Sequence, residues 1–266
     1  MHPTLTVAIK AARKAGDIIN RSADRLDLLT IRHKSLNDLV SEVDKAAEDE
    51  IVKILHDSFP DHSILAEESG KTGSAEPMWI IDPLDGTTNF LHGLPIYCVS
   101  IALIDKKSLQ AGVIYDPTRN DLYVTSKGDG AFLNERRIRV SKRDKLIDGL
   151  IGTGFPFKMV RHEISYLKML RSMMKSCAGV RRPGSAALDL AAVATGRLDG
   201  FWEIGLSPWD MAAGTLLIQE AGGLVGDLEG ERGFLESGRI VAGNPKIFAQ
   251  ILRLIEPHIS NDLRNK

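Results

Sequence analysis

Trp79-Ile80-Ile81-Asp82-Pro83-Leu84-Asp85-Gly86-Thr87-Thr88-Asn89-Phe90 is the stretch that decides how this chain folds and where its chemistry sits. Its apolar start suits a buried strand, and the strand ends abruptly in two carboxylates followed by a Gly-Thr-Thr turn. Acids at the exit of a buried strand lose hydration and need a cation, a proton or a strong donor nearby. Small residues after them leave backbone N–H groups free to face an anion. Pro83 fixes its own φ and lacks an N–H, so the spacing predicts a turn at Asp82-Pro83-Leu84-Asp85 rather than continuous extension. Such a turn would bring both carboxylates to one pair of cations and expose the Leu84 carbonyl as a further ligand. Metal beside phosphate is the first reading.

Outward from that stretch, Leu5 to about Ser22 places Leu5, Ala8, Ile9, Ala12, Ala15, Gly16 and Ile19 on one helical face. Ser41 and Asp44 predict a helix start, followed by Val43, Ala47, Ile51, Ile54 and Leu55 and closed by Phe59-Pro60-Asp61. Tyr97 to Ile104, Gln110 to Tyr115 and Asp121 to Ser126 predict a meander, an antiparallel sheet packed on those two helices. From about residue 146 strands mix with helices. The Ala-rich segment Ser185 to Thr195 ends at Gly196, and Asp210 to Ala221 stops at Gly222-Gly223. Glu229 to Gly238, rich in Gly and charge, reads as an exposed loop. With no internal repeat and no obvious linker, 1–266 is expected to form one compact catalytic unit. Its sub-domains would be about 1–145 (helices plus antiparallel sheet) and 146–266 (mixed α/β).

A formal net charge of −1 gives no global field towards nucleic acid or an anionic membrane, so bound phosphate must be neutralised locally by metal ions and amides. Cys98 and Cys177 are the only cysteines, which argues against a disulfide framework or a thiolate zinc site. Lys10, Arg13, Lys14 and Asp17 interrupt the apolar pattern that a signal peptide needs. No run approaches the roughly 18 apolar residues that cross a bilayer. The expected setting is reducing and cytoplasmic, without a membrane.

Four segments offer acids in suggestive contexts: Glu67-Glu68-Ser69-Gly70, Asp82 with Asp85, Glu203, and Trp209-Asp210 at a helix start, where Asp210 could also simply cap the helix. Oxygen ligands without His or Cys clusters favour Mg²⁺ or Mn²⁺ over zinc. Two such ions stabilise the attacking water and the leaving oxygen of a phosphoryl transfer. Phosphatases with an aspartyl nucleophile carry two Asp separated by one residue. Two residues separate Asp82 from Asp85, so metal-activated water is the better mechanism.

Glu67-Glu68-Ser69, the Trp79–Phe90 stretch and Trp209-Asp210-Met211-Ala212-Ala213-Gly214, in that order, resemble the signatures of the inositol monophosphatase family. Tyr115-Asp116-Pro117, Gly152-Thr153-Gly154-Phe155-Pro156-Phe157 and Arg182-Pro183-Gly184-Ser185-Ala186-Ala187-Leu188-Asp189-Leu190 resemble its bacterial SuhB-type branch. The resemblance implies a layered α-β-α-β-α sandwich, shared with fructose-1,6-bisphosphatases. It implies a first metal at Glu67, Asp82 and the Leu84 carbonyl, and a second at Asp82, Asp85 and Asp210. It further implies water orientation by Thr87 with Glu67, Asp85 beside the leaving oxygen, and phosphate on the Gly86-Thr87-Thr88 amides. Asp44 matches a weaker third metal site. Glu203 and the Gly184-Ser185-Ala186 backbone match substrate-hydroxyl contacts, alongside Asp85 and Asp210. The implied activity is Mg²⁺-dependent hydrolysis of inositol-1-phosphate, sensitive to lithium, by a homodimer. The branch is also associated with transcription antitermination alongside Nus factors and RNA polymerase.

Rival substrates of the same fold are fructose-1,6-bisphosphate, 3′-phosphoadenosine-5′-phosphate, histidinol phosphate, NADP or another sugar phosphate, and a rival class is a mainly regulatory protein that binds RNA polymerase and Nus factors. Glu203 favours a neutral polyol, and no basic residue is recognisable in sequence as part of a pocket. The family resemblance also implies that Arg181-Arg182 before Pro183 borders a dimer interface, with a plain surface role as the alternative. Arg136-Arg137, Arg139, Lys142, Arg143 and Lys145 form a basic stretch that is either a solvated face or a protein or RNA contact.

Overall fold

A computed structural model describes residues 3–26, 31–35, 38–74 and 76–264. Helix α1 (Pro3–Ala23) is followed by the antiparallel pair β1 (Ile31–Ser35) and β2 (Asp38–Ser41) and by α2 (Glu42–Ser58). An eight-stranded sheet takes β3 (Ser63–Ala66), β4 (Gly70–Thr72), β5 (Met78–Asp85), β6 (Cys98–Asp105), β7 (Ser108–Asp116), β8 (Asp121–Ser126), β9 (Gly130–Leu133) and β10 (Arg136–Arg137). The short helix α3 (Thr87–Leu91) follows β5. A five-stranded sheet takes β11 (Leu150–Thr153), β12 (Gly179–Arg181), β13 (Gly200–Ile204), β14 (Leu224–Gly226) and β15 (Arg239–Gly243). The remaining helices are α4 (Glu163–Met174), α5 (Ala186–Ala194), α6 (Pro208–Glu220), α7 (Phe234–Ser237), α8 (Pro245–Ile255) and α9 (Asn261–Arg264).

The larger sheet runs β10-β9-β8-β7-β6-β5-β3-β4 and is antiparallel except between β3 and β5. The expected meander, β6 to β8, is antiparallel throughout, and the parallel pair lies outside it. β4 hairpins to the outer side of β3, so β5 returns on the inner side in the same direction as β3. The smaller sheet, β12-β11-β13-β15-β14, is mixed, with β11 parallel to both of its neighbours.

Side chains alternate across a strand, and here both faces are covered. In β5, Ile81 joins Ala15 of α1 and Ile51 of α2, while Ile80 joins Leu190 of α5 and Ala213 of α6. In β13, Phe201 faces that same middle layer, and Trp202 faces Tyr166 of α4 and Ile251 of α8. The layers are therefore α1/α2, sheet, α5/α6, sheet, α4/α8, the α-β-α-β-α order that was expected. Strands buried on both faces become unbroken apolar runs, which explains Trp79–Ile81. Likewise α6 is buried from Met211 through Ile218, having no solvent face to keep polar.

The middle layer fits because its residues are small. A Cβ built on Gly214 would lie 2.5 Å from the Leu190 Cβ, and one on Gly112 would lie 3.1 Å from the Ala213 Cα. Between Glu229 and Gly238 the expected exposed loop includes α7, because Phe234 is buried against the middle-layer cluster. No described helix is long and apolar enough to cross a membrane.

Gly214→Ala sets a helix-propensity gain of about 1 kcal/mol against an overpacking cost of about 1–3 kcal/mol. The clash is with the Cβ of Leu190, which cannot swing away, so net destabilisation is expected. Urea unfolding should show a lower midpoint with an unchanged slope; a higher midpoint would mean that the α5–α6 contact is looser than described.

Candidate active site

The two carboxylates of β5 meet through a bulge. Asp82 pairs with Ser100 and Asp85 with Cys98, so β5 spends three steps where β6 spends two. Residues three apart on a regular strand face opposite sides; the extra residue brings Asp82 and Asp85 to one side. The expected turn is therefore replaced by a bulge inside a continuous strand, a place where Pro83 is tolerated without its N–H. Carboxylate oxygens of Asp82, Asp85 and Asp210 lie within 4.8 Å of one another.

Each acid is held by its own local structure. The Oδ1 of Asp82 accepts from the Leu84 N–H at 3.0 Å, while its buried Oδ2 has no hydrogen-bond partner among the described residues. The Oδ2 of Asp85 accepts from the Ser185 hydroxyl at 2.6 Å and the Ala187 N–H at 2.7 Å, with the Cys98 thiol 3.9 Å away. Asp210 sits at the third position of α6, where its Oδ2 accepts from the Ser207 N–H at 2.7 Å in a capping box. The N-cap of α6 is thus Ser207, with Asp210 one turn inside it. Ser100 ties this helix start to β6 by donating to the Trp209 carbonyl at 3.1 Å.

Asp82, Asp85 and Asp210 line one cleft of about 620 Å³, together with Glu67, Leu84, Gly86, Thr87, Thr88, Gly184, Ser185, Ala186 and Glu203. Asp44 does not line it. Its Oδ2 accepts from the Ser41 N–H and hydroxyl, and its Oδ1 receives the Thr87 hydroxyl at 2.9 Å. The Thr87 hydroxyl is also 3.1 Å from the Leu84 carbonyl. Gly86 has φ +98°, and a Cβ there would lie 2.8 Å from the Ile96 carbonyl oxygen, so glycine is required at this turn. The starts of α3, α5 and α6 all border the cleft, with that of α2 behind Thr87. Helix N-termini carry partial positive charge and favour the carboxylates and any bound anion.

Burial pushes the Asp82 carboxyl well above the usual carboxylate range, and the charges of Glu67, Asp85 and Asp210 push it the same way. Burial also raises Asp85, against the hydrogen bonds from Ser185 and Ala187, to about 6. Burial, then the neighbouring charges of Asp189 and Asp210, raises Glu203, while Arg182 opposes the rise. Clustered oxygens with one buried atom lacking a donor fit a hard divalent cation bound by Asp82, Asp85 and Asp210.

Three supporting residues escaped the sequence reading. Glu48 of α2 accepts from the Glu68 N–H at 2.8 Å and the Ser69 N–H at 2.7 Å, which fixes the turn bearing Glu67. It lies on the buried stripe of α2 with Asp44, Ala47, Ile51 and Leu55, and a charge on an apolar stripe is a signal that sequence carries. Asn89 of α3 donates to the Ile96 and Pro183 carbonyls at 2.8 and 2.9 Å, tying α3 to the segment before α5. Arg182 lines the cleft, a basic residue not recognisable in the sequence as part of a pocket.

The sequence profile of the inositol monophosphatase family matches residues 1–260. The Nus factor SuhB of Pseudomonas aeruginosa is 51% identical over 270 residues, covering 99% of this chain and 100% of that protein. The crystal structure of extragenic suppressor protein suhB from Bartonella henselae superposes with a TM-score of 0.93 at 44% identity, over 96% of this chain and 99% of that one. The inositol monophosphatase from Anabaena gives a TM-score of 0.84 at 41% identity, over 95% of both chains.

Linkage sets the pH response of the acid cluster. The folded pKa of Asp85, about 6, exceeds its ordinary 3.8, so between them the folded state binds more protons and stability falls as pH rises. In chelator, the melting temperature of wild type relative to Asp85→Asn should therefore rise as pH falls from about 7 to about 5. With saturating Mg²⁺ the trend should reverse, because protons displace metal. No difference between the two conditions would contradict a shared proton and metal site.

Proposed function

The chain belongs to the inositol monophosphatase family, and on that basis we propose that it is a Mg²⁺-dependent phosphomonoesterase that hydrolyses inositol-1-phosphate. The observation that carries this reading is the unpartnered Oδ2 of Asp82, buried among Glu67, Asp85 and Asp210 beside the Gly86-Thr87-Thr88 turn. Glu67, Asp82 and the Leu84 carbonyl would hold one ion, and Asp82, Asp85 and Asp210 a second; Mn²⁺ would serve in place of Mg²⁺. Bound there, the ions would supply Lewis-acid stabilisation to the attacking and leaving oxygens.

The chain's own groups do the rest. The single hydroxyl proton of Thr87 is committed to Asp44 or to the Leu84 carbonyl, so towards a water Thr87 can only accept. With Glu67 it would orient that water for in-line attack. The Gly86, Thr87 and Thr88 amides would hold the phosphate, and Asp85 would stand beside the leaving oxygen. Glu203 and the Gly184-Ser185-Ala186 backbone would receive the polyol hydroxyls. A third ion at Asp44 would have to displace the Thr87 hydroxyl. The cleft draws on β5 of the larger sheet with the α3 that follows it, on α6 between the sheets and on β13 of the smaller sheet, so residues 1–266 would work as one catalytic unit.

A second role is favoured by the full-length identity to proteins named Nus factor SuhB. We propose that the chain also joins a cytoplasmic antitermination complex with Nus factors and RNA polymerase, as a homodimer. Capture of those partners by the Asp85→Asn variant would show that this surface is independent of catalysis; joint loss of capture and activity would count against it.

Phosphate release from inositol-1-phosphate, fructose-1,6-bisphosphate and 3′-phosphoadenosine-5′-phosphate with Mg²⁺ tests the catalytic reading, with inositol-1-phosphate expected to lead and lithium to inhibit. Asp210→Asn should lower turnover by about a hundredfold or more, with the fold intact by circular dichroism. Near-wild-type turnover of that variant at saturating Mg²⁺ would remove Asp210 from the metal site.

A further inference from the structure

Among the described residues that line the cleft, Arg182 is the one cation. Its guanidinium lies 5.3 Å from the ring centroid of Phe155 and 5.4 Å from that of Phe157, within cation–π range of both. The two rings meet edge to face at 5.7 Å, and Phe155 leans in turn on the buried Tyr166 at 5.9 Å. The backbone beside Arg182 is fixed as well. The Pro183 carbonyl accepts from Asn89, and Gly184 follows at φ +98° with the Asn89 amide 2.9 Å from where a Cβ would sit.

A guanidinium held by aromatic rings still carries N–H groups that can donate to other partners. It shares the cleft lining with Asp189 and Glu203. The positive charge of Arg182 pulls down the carboxyls of both Asp189 and Glu203, against the burial that raises them. Glu203 packs over Gly154, next in the chain to Phe155, where an added Cβ would lie 1.9 Å from its Oε1.

A guanidinium only donates hydrogen bonds and a carboxyl group accepts them whether or not it also carries a proton, whereas a hydroxyl does both. A wall of Glu203, Asp189 and Arg182 therefore matches a set of neighbouring hydroxyls. A second phosphate would meet two carboxylates for one guanidinium, and a simple aryl ester would use none of the three.

We propose that Arg182, held on Phe155 and Phe157, is a specificity-determining residue that hydrogen-bonds a hydroxyl of the substrate and, with Glu203 and Asp189, selects neutral polyol phosphomonoesters. The proposal rests on the reading of this cleft as a phosphatase site.

The test compares inositol-1-phosphate, fructose-1,6-bisphosphate and p-nitrophenyl phosphate in wild type, Arg182→Met and Arg182→Lys, all with saturating Mg²⁺. In Arg182→Met the ratio of kcat/KM for inositol-1-phosphate to that for p-nitrophenyl phosphate should fall about tenfold, the size of one charge-assisted hydrogen bond, and the loss should lie in KM. Arg182→Lys should recover part of it. The ratio cancels any change in the amount of folded enzyme, so a purely structural effect leaves it unchanged. An unchanged ratio would overturn the proposal. So would a wild type that prefers the bisphosphate and loses that preference in Arg182→Met, because Arg182 would then be a second phosphate site. If wild type hydrolyses none of the three esters, the phosphatase reading fails and takes this proposal with it.

Discussion

Three carboxylates whose oxygens lie within 4.8 Å of one another repel each other, and the rest of the site is arranged around that repulsion. At the effective dielectric of a protein interior, each ionised pair at this distance costs on the order of 3 kcal/mol. Three pairs would take a large share of the roughly 5–15 kcal/mol that keeps a domain folded. The cluster is therefore tolerable only with protons or cations among its members. The surroundings supply partial compensation through hydrogen bonds from Ser185, Ala187 and Ser207 and through converging helix starts, yet they leave the Asp82 Oδ2 unserved. A cation would complete what the protein has left open.

The layered fold is what makes such a cluster possible. α5 and α6 lie between two sheets, so their N-terminal turns deliver Ser185, Ala187 and Asp210 to the end of β5 from the same direction. Small residues at the α5–α6 and α6–β7 contacts let that middle layer approach the strand closely. The bulge at Pro83 then sets the aim of the acids: with regular pleating, Asp85 would face away from Asp82. On the outer side, α2 contributes twice, holding Thr87 through Asp44 and the Glu67 turn through Glu48.

Much of this was legible in the residues. The apolar run into Asp82, the Ser41–Asp44 start and the Ala-rich stretch from Ser185 each carry local signals of period, capping or composition. What stayed hidden depends on contacts across the chain. Nothing near Arg182 in sequence says that it turns inward, because its aromatic support comes from Phe155 and Phe157 and its backbone anchor from Asn89. The parallel pairing of β3 with β5 follows from which side of β3 the hairpin takes, a tertiary choice. The short helix after Gly233 formed where composition suggested loop, because Phe234 found a place in the core.

Diffraction from crystals soaked in Mn²⁺, measured at an energy where manganese scatters anomalously, tests the cation claim most directly. The expected map has a peak bonded to the Asp82 Oδ2 and shared with Asp85 and Asp210, and a second peak reaching Glu67 and the Leu84 carbonyl. A map at saturating Mn²⁺ with no peak touching Asp82 would contradict the account.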